Sequence, residues 1–317
     1  MTVFYWHGKP IVPSLSMEDS LTKLASAIEA EYKGAGLHSL TRFGKSTLAE
    51  YIYAYHDWID IPYVAKRADV RSIGSGESAM FDWFLTQIGV QPVARQLPDQ
   101  KLNRIVNTVT MQLQSASARL YLLIVDDANL IEPDAFQHFI TIDNALEKSG
   151  ISLFVVFLFQ DNHTTSKREQ INKLVVSPQI RSRFLTRYHR IFGIRGPDDI
   201  FVFIQRFEDE VEMALEAGIT LPRSMAPALY DSNWRMRNAS GMIWEQGCIH
   251  RAAAGHSDID EWPMKAFSLI VYYLSTRVIC EPGFTGFTTE HIDQAIRFSD
   301  LAAFDGESGA VEFSDDP

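Results

Sequence analysis

Six consecutive apolar residues, Leu120 to Val125, run directly into two aspartates, Asp126 and Asp127. A short apolar run ended by charge reads as a strand buried on both faces, and such strands belong to parallel sheets covered by helices. Carboxylates at its carboxyl end stand where open α/β sheets gather their ligands. Lys45 lies 81 residues upstream, in the segment Ser39-Leu40-Thr41-Arg42-Phe43-Gly44-Lys45-Ser46-Thr47. This segment matches the closing half of the phosphate-binding pattern G-x-x-x-x-G-K-[ST].

The two segments complement each other chemically. Backbone N–H groups at a helix start, aided by the helix dipole, cradle an anion. Thr41, Arg42, Phe43, Gly44, Lys45, Ser46 and Thr47 are therefore the candidate nucleotide-binding loop. Gly44 admits the phosphates to the backbone, Lys45 brings a charge to them, and the Ser46 hydroxyl is a candidate Mg²⁺ ligand. Asp126 is the second candidate for Mg²⁺. Asp127 is placed to orient and deprotonate an attacking water, although most such sites use Glu there and Asp is one methylene shorter. Ser39 stands where the pattern has its first glycine, so the entry turn lacks its most permissive residue.

Strand and helix patterns alternate around this pair, which predicts a parallel, helix-covered sheet. Leu21, Leu24, Ile28 and Tyr32 recur at helical spacing, predicting a helix over 17–32 that ends at Gly34-Ala35-Gly36. Strands are expected near 37–40, 61–65 and 152–159. Helices are expected after Gly74-Ser75-Gly76, around Leu102–Leu113, and from Pro133 to Gly150. A hinge at Gly196-Pro197 leads into a smaller helical domain. The expected organisation is an arm over 1–20, an α/β domain over 21–196, a helical lid over 197–300 and an acidic tail over 301–317. Five acids and no base make disorder the expectation for the tail.

The chain carries a net charge of −11 over 317 residues. That balance speaks against a constitutively tight nucleic-acid binder. One segment departs from it: between His163 and Arg195 there are eight Lys or Arg residues and one acid, Glu169. Its readings are a solvated helix, contact with nucleic-acid phosphates by Lys167, Arg168 and Lys173, or an arginine donated to a neighbouring subunit's nucleotide. Two cysteines, Cys248 and Cys280, suggest a reducing, cytoplasmic setting rather than a disulfide framework. No apolar run reaches the length of a membrane span. Cys248, His250 and His256 lack a four-ligand metal spacing.

Taken in order, the Lys45 loop, the acid-tipped strand, the apolar strand ending in the polar residues Gln160 and Asn162, the arginine-bearing segment and the small helical domain resemble an AAA+ ATPase. The wording Thr-Arg-Phe-Gly-Lys-Ser and Leu-Ile-Val-Asp-Asp-Ala-Asn is similar to the TnsC/TniB group of transposition regulators. Phe287 to Ala295 is similar to the start of the closing lid helix in many such proteins. The resemblance implies ATP and Mg²⁺ as cofactors, and Asn162 (or Gln160) as the polar sensor of the γ-phosphate. It implies Arg181 or Arg183 as the finger reaching an adjacent subunit. Ser232-Asn233-Trp234-Arg235 is similar to the Gly-Asn-x-Arg lid sensor, making Arg235 a candidate and Arg237 the second choice. The implied activity is an ATPase that assembles as a ring or filament on duplex DNA and recruits a transposase, alongside target-selection proteins and with no membrane role. A protein-directed remodeller or signalling NTPase without nucleic-acid binding, and a non-hydrolysing ATP-binding scaffold, are the alternatives.

Overall fold

The computed structural model describes residues 3–70, 73, 76–161, 178–213, 216–256 and 261–306. The chain divides into two compact units. One comprises Asp19–Leu40 and Lys45–Ile191, and the other Met1–Glu18, Thr41–Gly44 and Phe192–Pro317.

The first unit is built on a five-stranded parallel sheet. Its strands are β3 (Gly34–Ser39), β4 (Tyr63–Asp69), β5 (Leu120–Asp126), β6 (Ser152–Gln160) and β7 (Arg187–Arg190), following the arm's hairpin strands β1 (Phe4–Trp6) and β2 (Lys9–Ile11). The spatial order is β4-β5-β6-β3-β7. β6 therefore lies between β3, which feeds the Lys45 loop, and β5, which ends in Asp126. Ser39 is level with Gln160, and Val125 with Phe157, so three functional strand ends share one edge.

Side-chain alternation divides the sheet into two faces. Tyr121, Leu123, Val125, Val155, Phe157 and Phe159 enter a core with helices α3 (Glu77–Gln87), α4 (Pro98–Ser115) and α5 (Pro133–Lys148). Met80, Phe84, Ile105, Val109, Phe139 and Ile142 supply the helical side at near-zero exposure. Phe157 sits within 5.4 Å of Phe136 and 5.2 Å of Phe139, in tilted and edge-on geometry. Pro98 and Pro133 each sit in the first turn of their helix, where a missing N–H costs nothing.

Three local expectations change. Gly34 and Gly36 do not terminate the preceding helix, α1, which runs Leu15–Glu29. They lie inside β3, where a Cβ on Gly36 would come within 2.4 Å of the Tyr188 ring, and one on Gly34 within 2.7 Å of the Val155 carbonyl. These are packing glycines rather than turn glycines. The second strand begins at Tyr63, not Ile61, because Pro62 cannot donate to the ladder. It then continues through Lys66 and Arg67 to Asp69, pairing residue by residue with β5.

In the second unit, Ile200, Phe203, Ile204, Ile243, Phe267, Ile270, Ile292 and Ile296 form a core contributed mainly by helices Pro197–Glu210, Ser240–Ala253, Met264–Tyr273 and Thr289–Ser299. A short antiparallel hairpin, Glu212–Met213 with Glu216–Thr220, interrupts the helices. Trp262 is fully buried and stacks on Trp244 at 4.8 Å. Gly247 is required beside it, since a Cβ there would lie 2.2 Å from the Trp262 ring. Thr288 caps the last long helix, accepting from the His291 N–H while its own N–H donates to His291 Nδ1. Leu301, placed in the tail by the sequence reading, is fully buried and opens the helix Leu301–Gly306. Residues 307–317 lie outside the described residues. Among the described residues no helix is long and apolar enough to cross a membrane.

Candidate functional site

The loop after β3 resolves the question posed by Ser39. Its positive φ angles fall on Arg42 (69°) and Gly44 (98°), whereas Ser39 is the extended last residue of β3. Serine is therefore tolerated at the entry position. Its carbonyl accepts from Lys45 Nζ at 3.0 Å and from the Asp161 N–H at 2.8 Å. Its hydroxyl donates to the Leu40 carbonyl at 3.0 Å. Nothing lies within 4 Å of a Cβ placed on Gly44, so glycine is needed there for conformation rather than space. Phe43 is buried, while Thr41, Arg42 and Ser46 are exposed and Thr47 is half-buried.

Lys45 opens helix α2 (Lys45–Ala54) and is only 9% exposed. Burial pushes its pKa down, and the carboxylates of Asp161, Asp126 and Asp127, in that order, act to raise it. Among the described residues its ammonium hydrogen-bonds to backbone carbonyls, those of Ser39 and, at 3.5 Å, Leu40. A buried ammonium held by neutral acceptors, beside an open glycine and an exposed helix-start hydroxyl, fits a phosphate group.

Across β6, Asp126 is 7% exposed. Its Oδ1 accepts the Asp127 N–H at 3.1 Å, and its Oδ2 accepts from Arg67 Nη2 at 2.8 Å. Asp127 adopts the left-handed conformation, φ 53° and ψ 42°, and starts a turn over Ala128–Leu130. This non-glycine residue at positive φ turns its exposed carboxyl out of the strand line. Desolvation, then the Asp126 charge, raises the Asp127 pKa, as suits a proton acceptor. Asn129 Oδ1 accepts from the Gln160 N–H at 3.3 Å, tying the acid turn to the end of β6. Among the described residues no group of three or more His, Cys, Asp or Glu side chains is arranged to hold a metal. Asp126 and the Ser46 hydroxyl are the residues that could ligate a Mg²⁺, whose remaining ligands would be phosphate oxygens and water.

Sequence reasoning missed three residues of this edge. Asp161 continues the inward phase of Phe157 and Phe159, and its Oδ2 lies 2.5 Å from His38 Nδ1. His38 is 4% exposed and stacks on Tyr188 at 4.5 Å. His38 Nε2 and Asp161 Oδ1 are buried with no hydrogen-bond partner among the described residues. The period-two pattern of β3 and β6 carries the signal, because both residues fall in phase with the buried face. Arg67 was the third omission, and it reads as an ordinary polar strand position. Of the sensor candidates, Gln160 is exposed and Asn162 lies outside the described residues.

The arginine candidates separate by partner. Arg183 is held within its own chain: its Nη2 lies 2.6 Å from Asp143, which is fully buried, and 3.4 Å from Glu147. Arg181, on the same short helix Pro178–Phe184, is exposed. Arg235 donates to the Tyr230 carbonyl at 3.0 Å and the Trp234 carbonyl at 2.6 Å, and its guanidinium lies 5.3 Å from the Tyr230 ring centre. Arg237 pairs with Glu208 and Asp209. In Ser232-Asn233-Trp234-Arg235 the positive φ, 69°, falls on Asn233, so Ser232 needs no glycine freedom. Lys167, Arg168 and Lys173 lie outside the described residues.

No described family and no curated protein sequence matches this chain. Solved structures do. The chain is similar to the Aeropyrum pernix ORC2 protein in its ADP form, at 12% identity and a TM-score of 0.52, with 90% of this chain and 70% of that one covered. It is also similar to a chain of Drosophila ORC bound to DNA, at 11% identity and a TM-score of 0.51, covering 89% and 69%. At such identities the likeness is one of architecture, and with the strand order and the helical second unit it establishes that this chain has the AAA+ α/β fold.

Proposed function

We propose that the chain is an ATP-hydrolysing switch that assembles on duplex DNA and regulates transposition by recruiting a transposase. The observation that carries the nucleotide reading is one sheet edge on which the Lys45 loop, Asp126 and Asp127 stand at the ends of strands separated only by β6. A bound Mg²⁺ polarises the phosphate oxygens and offsets their charge. Lys45 exchanges the Ser39 carbonyl for the β and γ phosphates, a neutral acceptor for an anionic one. Asp127 takes a proton from water as the water oxygen attacks the γ-phosphorus and the bond to the ADP oxygen breaks. Arg181 and Arg183 are the finger candidates for a neighbour's nucleotide, and Arg183 would have to leave Asp143 to act as one. Arg235 is the lid candidate.

DNA enters the proposal from the excess of Lys and Arg over 163–195 and from the fold it shares with a DNA-bound ORC chain. Assembly multiplies weak phosphate contacts, so an acidic monomer gains DNA affinity as an oligomer. A second reading, a protein-directed NTPase, is favoured by the arginines that serve the fold itself. Arg183 binds Asp143, Arg195 binds Asp199, and Arg187 lies 4.6 Å over the Tyr32 ring.

Electron microscopy with a slowly hydrolysed ATP analogue separates the two. Ordered rings or filaments that need both analogue and duplex DNA, and vanish with Lys45→Ala, support the DNA-associated switch. Assembly indifferent to DNA moves the reading to the protein-directed NTPase.

A further inference from the structure

Arg67 sits among more negative charge than it neutralises. It lies on β4 in register with Ile124, and Asp69 lies in register with Asp126. Paired residues of a parallel ladder share a face, so Arg67, Asp69 and Asp126 project on the same side of the sheet. Glu50, four residues after Ser46 on α2, completes the group. Arg67 Nη2 is 2.8 Å from Asp126 Oδ2, Nη1 is 3.6 Å from Glu50 Oε2, and Nε is 3.7 Å from Asp69 Oδ1. One guanidinium thus faces three carboxylates.

Its fit is incomplete. Among the described residues only the contact to Asp126 has hydrogen-bond length, and Nε is buried without a hydrogen-bond partner. Arg183 offers a contrast, with both Nε and Nη2 within 2.7 Å of one Asp143 oxygen. Asp126 is nearly buried and needs a counter-charge whenever no metal is present. Arg67 supplies it through the oxygen that faces away from the Asp127 N–H.

We propose that Arg67 is a positioning residue that stands in for the divalent cation at Asp126 and competes with it. It holds the carboxylate in place before Mg²⁺ arrives, and it gives up Oδ2 when Mg²⁺ and nucleotide bind. The positive charge of Arg67 sets how much Mg²⁺ the site requires. This inference rests on the nucleotide-site reading above and adds a residue to it.

The test compares wild type, Arg67→Gln and Arg67→Lys by thermal unfolding in EDTA and by Mg²⁺ titration of binding of a fluorescent, non-hydrolysable ATP analogue. Without metal, Arg67→Gln melts below wild type, because Asp126 loses its partner, and added Mg²⁺ narrows the gap. Its half-saturating Mg²⁺ is about tenfold lower than that of wild type, the size of an ordinary coupling between adjacent sites. Arg67→Lys, which keeps the charge but not the planar fork, falls between the two. Equal half-saturation in wild type and both variants overturns the inference while leaving the nucleotide site standing. If Arg67→Gln does not fold, Arg67→Met, which also removes the charge, is titrated in its place, and an unchanged midpoint overturns the inference. Failure of wild type to bind the analogue at any Mg²⁺ concentration overturns the nucleotide reading itself.

Discussion

Two buried carboxylates, Asp126 in the sheet unit and Glu208 in the helical unit, are 7% and 2% exposed, yet their surroundings differ in kind. Glu208 is saturated by its own neighbourhood. Its Oε1 accepts from the Tyr230 hydroxyl at 2.7 Å and the Met236 N–H at 2.5 Å, and its Oε2 from the Arg237 N–H at 3.3 Å, with Arg237 Nε 3.4 Å away. It closes the start of the turn Met236–Ala239 and holds Arg237 beside Arg235. Asp126 has one backbone donor and one shared guanidinium, at the open end of a sheet. A carboxylate whose acceptor sites are filled by fixed local donors is structural. One whose counter-charge is shared with two other acids is set up for exchange.

Breaking the site side of the comparison gives the largest effect. Asp127→Asn slows phosphate release by about 10²–10⁴-fold, the usual worth of a positioned base, and leaves analogue binding in place. Steady-state phosphate release measures the first and fluorescent-analogue titration the second; an undiminished rate removes Asp127 from the chemistry. The same residue shapes the pH profile of the wild type. Asp127 must be ionised to accept a proton and its pKa is raised, so hydrolysis declines on acidification at a pH above the ordinary Asp value of about 3.9.

On the structural side, Glu208→Ala strands the Tyr230 hydroxyl and the Met236 N–H and leaves Arg237 with Asp209 alone. It lowers unfolding free energy by about 3–5 kcal/mol in urea titration, the cost of removing one partner of a buried charge pair. A loss within experimental error contradicts the structural role given to Glu208. Gly36→Ala probes the strand that feeds the loop. Its new Cβ meets the Tyr188 ring at 2.4 Å, and overpacking of this kind costs about 1–3 kcal/mol by the same method. Asp126→Asn sharpens the contrast with Glu208. Arg67 retains Glu50 and Asp69, so stability changes by about 1 kcal/mol or less, while the Mg²⁺ dependence of analogue binding collapses. A loss as large as that of Glu208→Ala makes Asp126 a structural carboxylate as well.

Much of the sheet unit was legible because buried parallel strands are written as continuous apolar runs, and Leu120–Val125 and Leu153–Phe159 are two of them. Strand ends were less legible. Ile61 was read as strand from its side chain, whereas Pro62 decides where the ladder begins. Gly34 and Gly36 carry turn chemistry in isolation, and only Val155 beside Gly34 and Tyr188 beside Gly36, each more than 120 residues away, make them strand residues.

What the sequence determined by itself was local: a loop matching the phosphate-binding pattern at Gly44, Lys45 and Ser46, a strand ending in Asp126 and Asp127, and an alternating α/β order. These depend on backbone conformation, helix starts and hydrophobic period, which act within a few residues. Only the tertiary structure decided that β6 lies between the two motifs, that Asp161 and His38 stand at that edge, that Arg183 is committed to Asp143, and that Arg67 is the counter-charge of Asp126. Each of those depends on which strands are neighbours. Strand order is set by burial and crossover packing of the whole sheet, and long-range charge pairing follows from it.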